Sequence, residues 1–240
     1  PEIVDLSGVP LNQNADAVAA SLAGDDQFST VFVMDHPGQT VPYLQDFESG
    51  SFADLSGWSF RVMGDFEYGA NTWEFSDQSV LGGDHDLVAT QLWDCWTDHE
   101  AILKLDLTDQ VGATDLELDF WLQFLPRENP SIRDRRSARV FLRGDSDEPW
   151  IDVSFWLDLN GELKPPEGTY TRYAVDLDAV LAAHDISFDN DVYIMFNRRG
   201  FHKRSAIALD NIGVRRTGDA PTPAATSKLT RLRAAAPGAI

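Results

Sequence analysis

Alternation with a period of two runs through the middle of the chain. Ala101, Leu103, Leu105 and Leu107 alternate with Ile102, Lys104 and Asp106, and Leu116, Leu118, Phe120, Leu122 and Phe124 alternate with Glu117, Asp119, Trp121 and Gln123. Successive side chains of a strand point to opposite faces, so each run predicts a strand with one face in a core and the other toward solvent. Ile151, Val153, Phe155, Leu157 and Leu159 repeat the pattern against Asp152, Ser154, Trp156 and Asp158. So do Val192, Ile194 and Phe196, and Ile207 with Leu209. Strands of this kind, joined by loops rich in Gly, Asp and Pro, predict a mainly β fold, an antiparallel two-sheet sandwich. The pattern breaks over Asp176 to His184, where Leu177, Val180 and Leu181 fall at helical spacing and predict a short connecting helix.

The same reading divides the chain into three. Residues 1–43 form an N-terminal extension, with strand-like Ile3-Val4 and Val31-Phe32-Val33-Met34 and a predicted helix from Ala15 to Ala23, capped by Asn14 and closed by Gly24. This stretch is too short to hold its own core and is expected to pack on the sandwich or on a neighbour's sheet edge. Residues 44–214 are the sandwich. Residues 215–240 are an Ala/Pro/Thr-rich tail in which Arg215, Arg216, Lys228, Arg231 and Arg233 meet Asp219 alone, a net +4 against −24 on the remainder. Such a tail could dock on the acidic body, within one molecule or between copies; a solvated linker is the alternative.

Composition narrows the partners. With 43% hydrophobic residues among 240, the chain has material for a full core. A formal net charge of −20 argues against nucleic acid or anionic lipid as the main partner, because neutralising phosphate takes an excess of Lys and Arg. A locally basic stretch, Arg127, Arg133, Arg135, Arg136, Arg139 and Arg143, is either an interface for an acidic surface or a solvated loop paired with Asp134, Asp145 and Asp147. No apolar run approaches the ~20 residues of a membrane span. Cys95 is the single cysteine, which rules out an intrachain disulfide framework and a multi-cysteine zinc site. Beside Trp93 and Trp96 it reads as a small buried hydrophobe. His36, His85, His99, His184 and His202 are scattered, and no Gly-x-Ser-x-Gly, His-Glu-x-x-His or phosphate loop occurs, so no enzymatic activity is expected.

Five short motifs follow one another through the sandwich: Asp46-Phe47-Glu48, Gly57-Trp58, Leu81-Gly82-Gly83-Asp84-His85, Leu118-Asp119-Phe120-Trp121 and Leu209-Asp210-Asn211-Ile212. In that order they resemble the MAM-type domain and related bacterial extracellular jelly rolls, over residues 44–214. The paired cysteines of animal MAM domains are missing, so the resemblance is to a cysteine-poor bacterial version and disulfide-dependent adhesion does not carry over. It implies a concanavalin-like jelly roll with short helices and terminal extensions, extracellular or on the cell surface. The implied role is adhesion, recognition or structural assembly through a glycan, a protein ligand or other copies of the chain. A carbohydrate-binding module of a secreted enzyme and a self-assembling surface-layer or filament subunit that exchanges terminal segments are the alternatives. A shared fold does not fix the ligand.

In jelly rolls of this type the first and last strands run side by side, which would bring Glu48 to Asp210. Two carboxylates held close repel unless a proton or cation lies between them, and Ca²⁺ takes six to eight oxygen ligands. Asp46 and Asp84 could add oxygens, giving a candidate structural calcium site of Asp46, Glu48, Asp84 and Asp210; exposed acids on edge strands are the alternative. A second candidate is a sugar platform. Trp121 and Trp156 fall on the polar phase of their predicted strands, as does Phe141 between Arg139 and Arg143. Rings in such positions either stack on a ligand or are covered by the chain's own segments.

Overall fold

A computed structural model describes residues 37–64, 72–77, 81, 83–91, 96–126, 137–188, 191–201 and 205–218. The chain divides into two units, residues 1–35 and 36–240. The first unit lies outside the described residues, as do Cys95, the basic residues at 127–136 and everything after Gly218.

In chain order the strands are β1 (Gln39–Thr40), β2 (Tyr43–Gln45), β3 (Trp58–Gly64), β4 (Thr72–Ser76), β5 (Asp86–Gln91), β6 (Trp96–Asp106), β7 (Leu116–Phe124), β8 (Ser137–Arg143), β9 (Ile151–Asp152), β10 (Thr171–Asp176), β11 (Asp191–Phe201) and β12 (Ser205–Arg216). Two short helices interrupt them, α1 (Ser154–Leu157) and α2 (Leu177–Ala183). The first sheet runs β1-β6-β11-β8-β9, with β3 also on β6; the second runs β10-β7-β12-β5-β4, with β2 also on β12. Pairing is antiparallel throughout these sheets except where β1 meets β6. The fold is therefore mainly β, an antiparallel two-sheet sandwich.

The period-two runs supply the core. On β6, Ala101, Leu103 and Leu105 are buried against the other sheet, as are Leu118, Phe120 and Leu122 on β7 and Val192, Ile194 and Phe196 on β11. Phe120 meets Phe196 edge to face at 5.0 Å, one ring from each sheet. Trp58 stacks on Phe60 and Phe196, and its indole N–H donates to the Tyr43 hydroxyl at 2.6 Å, tying β3 to β2 of the facing sheet. Burial pushes the Tyr43 phenol up to about 12. Each large side chain removed from water in this way contributes about 1.5–3 kcal/mol.

Two local readings fare differently. Asp176 caps the connecting helix, accepting the Ala179 N–H at 2.9 Å, and Leu177, Val180 and Leu181 are buried beneath it. The strand expected from Ile151 to Leu159 stops after Asp152. There Ser154 places its hydroxyl on the Val140 N–H at 3.0 Å, and the Asp152 carboxylate accepts the Ser154 N–H at 3.0 Å. Short polar side chains that take backbone groups in this way compete with a sheet ladder. The chain turns into α1, closed by Asp158 N–H on the Ser154 carbonyl. Beyond it, Leu163 bridges to Ala138 of β8 and the Gly168 N–H reaches the Phe124 carbonyl of β7, so this connection passes from one sheet to the other.

Candidate functional site

The last strand carries an interruption. β5 and β2 pair with β12 end to end, Leu87 opposite Leu209 and Gln45 opposite Ile212. Between those positions the register of β12 against β7 jumps from Asp210 to Gly213, and Asn211 takes a φ of 49°. A bulge of this kind re-aims side chains and locally ends the pairing. The chain leaving β2 turns through Phe47, whose φ of 57° is held by a fully buried ring packed edge to face on Trp58.

This seam gathers acids. The Glu48 carboxylate accepts the Asp84 N–H at 2.5 Å and lies against Gly83, where any Cβ would collide with it. Asp210 is fully buried; one of its oxygens accepts the Asn211 N–H at 2.7 Å and the other has no partner. Asp86 is also fully buried. One of its oxygens accepts the Tyr170 hydroxyl at 2.6 Å and the other has no partner. Burial, with Asp86 and Glu48 nearby, pushes the Asp210 carboxyl up to about 8. Burial likewise raises Asp86 above the usual carboxylate range.

Of the four acids expected at a cation site, Glu48 and Asp210 come near each other at this seam, while Asp84 joins them only through its backbone N–H on Glu48 and is itself exposed. Asp46 instead turns its carboxylate back to the Glu48 N–H at 3.3 Å. Sequence reasoning missed Asp86 and Tyr170; the one available signal was the second acid in Asp84-His85-Asp86. Among the described residues no three acidic, His or Cys side chains stand in a ready metal cage. The donor chemistry, carboxylate oxygens with two of them buried and orphaned, fits a hard cation such as Ca²⁺ better than a zinc-type ion.

The three expected aromatic rings occupy three separate places. Trp121 is half-buried on the outer face of the second sheet, opposite Arg172 and Asp210. Phe141 is half-buried on the outer face of the first sheet, opposite Met195 and Asp152. Trp156 lies on α1 with 46% of its surface exposed, beside Phe155 at 63%. The Phe155 ring covers Gly161, where a Cβ would approach within 2.5 Å of it. Directly after α1, Asn160 donates its backbone and side-chain N–H groups to Asp158, at 2.8 and 2.9 Å. On the first sheet's outer face the Arg143 guanidinium lies 4.3 Å from the Trp150 ring centre and 4.8 Å from that of Tyr193. Trp150 sits in a loop with no periodicity, which is why the sequence pattern passed over it.

No family model matches this chain, and no curated protein matches it. Solved structures of similar fold include TmCBM61 in complex with β-1,4-galactotriose, 13% identical over 71% of this chain and 94% of that one, with a TM-score of 0.43. Another is the CBM22-1 xylan-binding domain of Paenibacillus barcinonensis Xyn10C, 13% identical over 74% and 95%, with a TM-score of 0.41. A third is the Spr0440 glycoside hydrolase domain, Endo-D from Streptococcus pneumoniae R6, 14% identical over 76% of this chain and 29% of that one, with a TM-score of 0.48.

Proposed function

We propose that the protein is a non-catalytic glycan-recognition module of a secreted or cell-surface protein, its sandwich clamped at the β2–β12–β5 seam by a structural calcium ion. The observation that carries the reading is the pair of neighbouring rings on α1, Phe155 and Trp156, left open to solvent with Leu159 beside them in sequence. Large apolar surface kept out of a core marks a place where something else is bound. A pyranose suits it because one face of the sugar presents C–H groups to a ring while its edge presents hydroxyls. Asp158 and Asn160, next along the chain, supply an acceptor and a donor for that edge.

The calcium has a mechanical role in this reading. Glu48, Asp86 and Asp210 would hold it, and it would supply the positive charge that lets the buried Asp86 and Asp210 carboxyl groups ionise. The exposed rings lie on a different element, so ligand recognition belongs to α1 and clamping to the seam.

The test is tryptophan fluorescence against a panel of soluble neutral glycans. At least one is expected to quench or shift the emission, and Trp156→Ala is expected to remove the response while circular dichroism stays that of the parent. A panel that leaves emission unchanged, or a Trp156→Ala protein that responds as the parent does, contradicts the reading.

A further inference from the structure

The turn that ends α1 fixes a charge beside the open rings. Its Gly161 N–H returns to the Asp158 carbonyl at 2.9 Å, closing Asp158-Leu159-Asn160-Gly161, and Gly161 takes a φ of 67°. The Phe155 ring rests on Gly161, so the ring and the turn form one surface. Both Asn160 N–H groups reach the same Asp158 carboxylate oxygen. That holds the half-buried carboxylate in place, and no described group donates to its other oxygen.

Three acids flank or end α1, and they differ in what neutralises them. Asp152 and Glu162 share Arg139, whose terminal nitrogens reach them at 3.1 and 3.2 Å. Lys164 takes the second oxygen of Glu162 at 2.5 Å. Asp158 makes no ion pair among the described residues. Its charge is felt across the gap to β10, where burial and Asp158 together push the Tyr173 phenol up to about 12. The cations of this region are thus committed to Asp152 and Glu162, and the field beside the rings is negative.

We propose that the α1 site sorts glycans by charge, with Asp158 as the specificity-determining residue: neutral sugars are accepted, and sugars carrying carboxylates are turned away. The inference rests on the glycan reading of α1 and adds the charge class of the ligand. A pyranose stacked on Phe155 or Trp156 turns its edge toward the 158–161 turn. A hydroxyl at that edge donates to Asp158 and still accepts from the Asn160 amide. An ionised carboxylate there only accepts, and two carboxylates held close repel unless a proton or cation lies between them. The formal net charge of −20 acts in the same direction, but salt screens charges more than about 8–10 Å away, so the nearest acid dominates.

Calorimetry at pH 7 on the full chain tests this with β-1,4-linked hexamers of glucose, mannose and galactose, each paired with the same hexamer oxidised to a carboxylate at every C6. The readout is the ratio of the two affinities in one protein, so a general loss of binding cancels. For a neutral hexamer whose binding Trp156→Ala removes, the oxidised partner is expected to bind the parent about tenfold more weakly, as like charges near contact require. Asp158→Asn is expected to bring the ratio within about threefold, and so is Asp158→Ser, whose hydroxyl still accepts from the Asn160 N–H. Equal affinities in the parent, or a ratio that neither variant moves, overturn the assignment to Asp158 and leave the α1 platform standing. No binding by any neutral hexamer, or binding that persists in Trp156→Ala, overturns the platform and this inference with it.

Discussion

At Asp210 a fully buried carboxyl group faces two other acids with one oxygen bonded and one orphaned. Its folded value of about 8 lies far above the ~3.9 of an unfolded chain. Between those values the native state keeps a proton that the unfolded state has released. Without a cation, stability therefore falls as pH rises from about 4 to about 8. Calcium would replace that proton and flatten the slope. Urea unfolding at pH 5 and pH 8 is expected to show the chelated protein weaker at pH 8 by about 3 kcal/mol, judged against Asp210→Asn, with millimolar Ca²⁺ removing most of the difference. Equal stability at the two pH values, with and without Ca²⁺, would contradict this account. The nearness of Glu48 and Asp210 was legible because both sit in short motifs near strand ends, whereas Asp84 contributes its backbone N–H rather than its carboxylate. Asp86 and Tyr170 were not: their hydrogen bond joins positions 84 residues apart and exists only once the sheets are assembled.

β6, β7, β11 and β12 were legible as elements because each turns every second, apolar residue into the core, so their alternation survives in the sequence. The helix α2 was legible from its spacing, and Asp176 proves to be its cap. α1 was not, because Phe155 and Trp156 continue an apolar alternation that the hydrogen bonds of Asp152 and Ser154 interrupt. The irregularity in β12 was hidden too, since Leu209-Asp210-Asn211-Ile212 reads as unbroken strand. Asn211 holds the left-handed conformation that bulky and β-branched residues avoid. Asn211→Gly is expected to leave the melting temperature nearly unchanged, while Asn211→Val should cost about 1–2 kcal/mol by denaturant unfolding and weaken the response to Ca²⁺. Equal stability of the two variants would show that the bulge does not set the seam.

On the scale of the whole molecule, two sheets enclose one apolar core and leave distinct chemistry at two places: acids at the seam and rings on α1. Composition foretold a full core, and the alternation foretold a sandwich. Neither could say that Trp121, Trp156 and Phe141 would lie on separate surfaces, because that depends on which strand joins which sheet. The central claim is that the α1 rings receive a glycan. Two-dimensional NMR of the ¹⁵N-labelled protein, titrated with the tightest neutral oligosaccharide of the panel, tests it most directly, since each of the seven tryptophans carries its own indole N–H. The account predicts that the Trp156 indole signal and the Asn160 amide signals move in a saturable, parallel manner. An unmoved Trp156 indole while other tryptophan signals shift, or a spectrum in which no signal moves, would contradict it.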